Sequence, residues 1–176
     1  MNITNIDDIR KLASGDEGGR TEYKLITGQL ERGMETLCAF LNGEGGTVLF
    51  GVADNGKITG QEVSDKTKRE IAEAIRLFEP FATITVSYAN IPDTDKQVIA
   101  LYAEEQRYMR PFTYKGRAYQ RIESVTSVMP QDKYNHLLMQ RGGKYSWEAI
   151  PNPDLQISDL DENVIIGAVR AGINCG

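Results

Sequence analysis

Histidine and cysteine are almost missing from this 176-residue chain, which has one histidine, His136, and two cysteines, Cys38 and Cys175. One histidine and no Cys-x-x-Cys pair exclude the usual zinc sites, so any metal must be held by oxygen. Hard oxygen ligands favour magnesium, manganese or calcium. The cysteines offer no disulfide framework, because Cys38 falls in an apolar helical pattern and Cys175 lies one residue from the end. Also missing is any apolar run near the roughly 20 residues that a membrane span requires. The start, MNITNIDDIRKL, lacks the basic, apolar and small-residue order of a signal peptide. These absences predict a cytoplasmic protein with no membrane partner. Hydrophobic content of 40% and charged content of 26% are globular values.

The net charge of -5 argues against nucleic acid only as an average. Between residues 106 and 144 the chain carries Arg107, Arg110, Lys115, Arg117, Arg121, Lys133, Arg141 and Lys144 against Glu123 and Asp132. Tyr108, Phe112, Tyr114 and Tyr119 interleave with those cations, a mixture suited to phosphate contact and base stacking. The same alternation also describes an ordinary half-buried strand pair. Both readings stand at the level of sequence.

The periodicities mix helices and strands without strict alternation. Residues 5 to 14 read as a short helix capped by Asn5 or Thr4, with Ile6, Ile9 and Leu12 on one face. Thr21 to Ile26 reads as a strand, which places Glu22 and Lys24 on one side because side chains repeat every two residues. Leu30, Met34, Leu37, Cys38 and Leu41 mark a helix over 29 to 41. TVLFGV, after the glycines of NGEGG, predicts a central strand, and Asn55-Gly56 beyond it a hairpin turn with Asp54 at its start.

A helix follows over 64 to 78, closed by Pro80, then strands at ATITVSYA and QVIALYA. FTYKGRAYQRI predicts a hairpin bent at Lys115-Gly116. The last helix of the domain spans 129 to 141, with Tyr134, Leu137 and Leu138 facing inward and His136 an ordinary helix residue. Residues 1 to 144 are thus expected to form one domain. Residues 145 to 176, with two prolines, DLDE and a helix that stops near the end, read as a linker and the start of a further region.

GEGGTVLFG resembles a phosphate loop only in composition, since its glycines precede a strand and no Lys-Ser or Lys-Thr follows. No nucleotide is expected there. Glu17, Glu22 and Asp54 are the stronger chemical signal. If the Glu22 strand lies beside the central strand, these carboxylates could hold a magnesium or manganese ion with Lys24 at its flank. Glu-x-Lys is equally a simple ion pair on a surface strand.

Four blocks give the chain a family resemblance: EGGRTEYK at 17 to 24, CAFLNGEGGTVLFGVADNGKITG at 38 to 60, RPFTYKGRAYQRIESVT at 110 to 126, and the helix around Tyr134. They resemble the Schlafen AlbA-type domain across about residues 5 to 141. The resemblance implies a mixed α+β fold, and a metal-dependent endoribonuclease activity of some animal members carries over to Glu17, Glu22 and Asp54. The chain departs from the family pattern at Ala53, where an aspartate is usual, and at Ile122-Glu123-Ser124, where Val-Gly-Ser is common.

Bacterial members commonly carry a C-terminal winged-helix region, so the first functional expectation is a DNA-binding domain of a transcriptional regulator. Arg110, Lys115, Arg117, Tyr119 and Arg121 would then contact DNA or RNA. Metal-dependent RNA cleavage is the second expectation, and a protein-interaction or sensing module without catalysis the third. Homo-oligomer formation stays open.

Overall fold

Asn5 begins helix α1 (Ile6–Ala13) by accepting from the N–H groups of Asp7 at 2.9 Å and Asp8 at 3.0 Å. In this computed structural model the described residues are 5–14, 20–144 and 161, 163, 164, 166, 167, 169 and 170. The chain divides into two compact units, Met1–Gly143 and Lys144–Gly176. In the second, the described residues between 163 and 170 are helical. The rest of the predicted tail, with Cys175, lies outside the described residues, as does Glu17.

The first unit is built on a four-stranded sheet. Strand β1 (Thr21–Lys24) runs parallel to β2 (Gly46–Phe50), the two being joined through a 3-10 turn and helix α2 (Leu30–Leu41). Helix α3 (Asp65–Ile75) follows, and Ser64 opens it with a capping box in which its hydroxyl accepts from the Thr67 N–H. Strand β3 (Phe78–Glu79) is two residues long, and β4 (Ile84–Asn90) and β5 (Gln97–Ala103) form an antiparallel pair. The order in the sheet is β1-β2-β5-β4, so β2 has neighbours on both sides as its apolar run requires.

Alternation along the central strands divides the core into two layers. Val48 and Phe50 of β2 and Ile99 and Leu101 of β5 face α2, in the larger cluster with Met34, Leu37, Cys38 and Phe40. Leu49, Val52, Val98 and Ala100 face the other way, packing with Tyr23 and with Ile9 of α1. Helix α2 lies close to the sheet at Gly33, where a Cβ would stand 2.5 Å from Cζ of Phe50. The following helix-to-strand turn needs Gly45, whose φ is +79° and whose added Cβ would meet the Ala103 carbonyl oxygen at 2.7 Å.

Two short ribbons complete the unit. Strand β6 (Thr113–Tyr114) pairs with β3, and β7 (Tyr119–Ile122) pairs with β8 (Val125–Val128). Lys115-Gly116 forms the expected bend, with φ of +50° and +74° and Tyr114 and Arg117 bonded to each other in both directions across it, and a second hairpin follows that bends at Glu123-Ser124. Two other expectations are corrected. Helix α3 ends at Ile75, before Pro80, because Phe78 is drawn out to bury its ring against Tyr114, with centroids 5.1 Å apart. In α4 (Gln131–Lys144), Tyr134 and Leu137 are half-buried, whereas Leu138 is exposed.

Asn42, just past α2, fastens these ribbons to the helix. Its Nδ2 donates to the carbonyls of Phe112 at 2.9 Å and Tyr119 at 3.0 Å, and its Oδ1 accepts from the Phe112 N–H at 2.7 Å. Cys38 lies beneath, and burial pushes its thiol up to about 12.

Candidate nucleic-acid interface and acidic cluster

The period of two in β1 decides where Glu22 points. Tyr23 is buried on the α1 face, so Glu22 and Lys24 share the α2 face, register-paired with Val48 and Phe50. Lys24 Nζ binds Glu22 Oε1, and Arg121 Nη2 stands 2.8 Å from Glu22 Oε2. The three side chains are only 13%, 5% and 12% exposed for Lys24, Arg121 and Glu22 respectively. Arg121 reaches this place because β7 packs on α2. Its guanidinium lies 5.3 Å from the Phe40 ring centroid, and Nη1 donates to Thr126 Oγ1 at 3.2 Å.

Asp54 stands elsewhere. It is exposed in the turn after β2, and that turn lies against the C-terminal end of α1, where Gly56 approaches the Ala13 carbonyl. Among the described residues no group of three His, Cys, Asp or Glu side chains is placed to hold a metal ion.

The arginines and lysines of the basic stretch are mostly engaged internally. Arg110 donates through Nε to the Leu41 carbonyl at 3.1 Å, closing the C-terminus of α2, and pairs with Glu105 at 3.3 Å. Burial lowers its pKa, although the Glu105 carboxylate works in the opposite direction. Lys115 meets both Glu31 oxygens, at 2.7 and 2.6 Å, with its side chain 49% exposed. Tyr119 is buried and donates to Glu35 Oε1 at 3.0 Å. Burial, and then the Glu35 bond, pushes its hydroxyl up to about 12. Arg117, at the β6–β7 turn, is exposed.

A cavity of about 290 Å³ opens beside Arg121 and is lined also by Arg20, Phe40, Asn42, Glu44, Gln120 and Lys133. Sequence reasoning did not single out Arg20 or Gln120, and counted Lys133 only as part of a basic stretch. Arg20 and Lys133 lie 113 positions apart, so no local pattern joins them; the only hint was the register that sets Arg20 just before β1.

The elements define an α+β domain with a mixed sheet, covered by one helix on each face of its centre. The chain belongs to the Schlafen, AlbA_2 family, whose pattern it matches over residues 17–130. No curated protein matches the chain. Among solved structures it is similar to the DIP2311 protein from Corynebacterium diphtheriae, at 12% identity and a TM-score of 0.50. That match covers 78% of this chain and 28% of the other, so it supports the fold alone. Among the described residues no helix is long and apolar enough to cross a membrane.

Proposed function

We propose that the first unit is a nucleic-acid-binding domain of a transcriptional regulator that contacts phosphates without reading base sequence. Family membership makes nucleic acid the class of partner to test first. The observation that carries the proposal is the β6–β7 turn. Its left-handed backbone at Lys115 and Gly116 leaves Lys115, half-exposed and paired with Glu31, and Arg117, exposed, at the surface. Arg110, Tyr119 and Arg121 are committed to internal bonds, with the Leu41 carbonyl, Glu35 and Glu22 respectively.

Phosphate contacts release counterions, so affinity must fall as salt rises. Fluorescence anisotropy with duplex DNA and with RNA across a salt series should give a negative slope of log affinity against log salt. Lys115→Ala and Arg117→Ala should each make that slope shallower by about one. Absence of salt-sensitive binding to either polymer would end the proposal.

A second reading is metal-dependent RNA cleavage by Glu17, Glu22, Lys24 and Asp54. The adjacency of Glu22 and Lys24 in a largely buried site favours it. Against it, both Glu22 oxygens already face cations, which repel a divalent ion placed beside them. As it stands, the Glu22 site does not fit magnesium or manganese. On this reading manganese should switch on cleavage of structured RNA and Glu22→Ala should abolish it. Equal cleavage by parent and variant removes the reading.

A further inference from the structure

Among the described residues, the charge buried beneath β7 does not balance. Lys24 and Arg121 share one described carboxylate, Glu22, which leaves one positive charge over in a group whose side chains are all at least 87% buried. A buried charge without a counter-ion is costly. Arg121 is also short of hydrogen bonds: among the described residues its Nε has no partner, and Nη2 meets Glu22 as a charge contact without hydrogen-bond alignment. Although its Nε and Nη2 are themselves closed to solvent, Arg121 is among the residues that line the cavity of about 290 Å³. Arg20, from just before β1, and Lys133, from α4, bring two more cations to its wall, and among the described lining residues the only acid is Glu44, paired with Arg20.

We propose that this cavity binds a phosphate group, with Arg20 and Lys133 as its direct partners and Arg121 adding positive charge from the wall. A doubly charged, tetrahedral anion suits three cations that arrive from three different elements, and guanidinium forks match phosphate oxygens. The glycine turn is not the ligand's partner, since the N–H groups of Gly43 and Gly45 both donate to the Phe40 carbonyl at 3.0 Å. The Asn42 amide is likewise committed to Phe112 and Tyr119. Lys133, held by Gln120 Oε1 at 2.8 Å, can exchange that neutral acceptor for a charged one. The phosphate comes either free in solution or on the end of a nucleic-acid strand. This inference does not depend on the Lys115 and Arg117 turn.

Isothermal titration of the full chain with inorganic phosphate, at ionic strength matched with chloride, should show saturable one-site binding. Arg20→Gln and Lys133→Gln alter exposed side chains, so thermal melts should confirm intact folding while affinity falls about tenfold in each. A preference for a 5′-phosphorylated oligonucleotide over its 5′-hydroxyl counterpart identifies a strand end as the source; no preference identifies free phosphate. Absence of saturable phosphate binding, or binding unchanged in both variants, overturns the proposal. Salt-sensitive oligonucleotide binding that persists after such a result leaves the nucleic-acid reading intact, and its loss with phosphate binding retained sinks that reading alone.

Discussion

Glu22 holds two cations, and its removal leaves both without a counter-charge in a place water scarcely reaches. Glu22→Gln is therefore expected to destabilise the domain by about 3 kcal/mol, as seen when one partner of a buried ion pair is removed. Urea denaturation followed by circular dichroism checks this; a loss below about 1 kcal/mol would mean the pairs behave as exposed ones do. The adjacency of Glu22 and Lys24 was legible in the sequence, because a strand repeats every two residues. The role of Arg121 was not. Its spacing with Arg117 and Tyr119 shows only that alternate positions share a face, and nothing local tells which face α2 will cover. The same limit applies to Tyr119, whose ring reads as a stacking platform until Glu35 and the helix are seen against it.

Helices and sheet strands were largely legible, since each carries its own period and its own stop. Asn5, Ser64 and the glycines after Asn42 mark ends that the structure keeps. Legibility failed in the two-strand ribbons, whose strands are two to four residues long and too short to show a period. Strand β8, VTSV, is half polar and exposed, and it forms because Thr126 meets Thr36 of α2 at 3.1 Å and Arg121 at 3.2 Å. The turn before it places Glu123 at φ +54°. A side chain there costs about 1–2 kcal/mol, and glycine gives back about 0.5–1 kcal/mol in chain entropy. Glu123→Gly should thus raise stability by about 0.5 kcal/mol, read as a higher urea midpoint, and a lower midpoint would show that the Glu123 side chain makes a needed contact.

At the scale of the whole domain, stability should depend on pH on the alkaline side. Tyr119 and Cys38 are both raised to about 12 in the folded chain, chiefly by burial, and Tyr114 is raised as well. Groups raised in this way contribute their full stabilisation below the unfolded values, near 8.5 for Cys and 10 for Tyr. That contribution is lost as pH climbs through the folded values. Denaturation midpoints should be flat, as far as these groups are concerned, from pH 7 to about 8 and fall between about 9 and 12; a midpoint unchanged at pH 11 contradicts the burial of these groups.

The commitments of Arg110 to Glu105, Lys115 to Glu31 and Arg121 to Glu22 also change what the molecule shows from a distance. A polyanion drifting towards this domain does not see the eight cations of the linear sequence. It meets a surface where several of those charges are already answered by carboxylates, so encounter is governed by the few cations that remain, and capture should slow as salt rises.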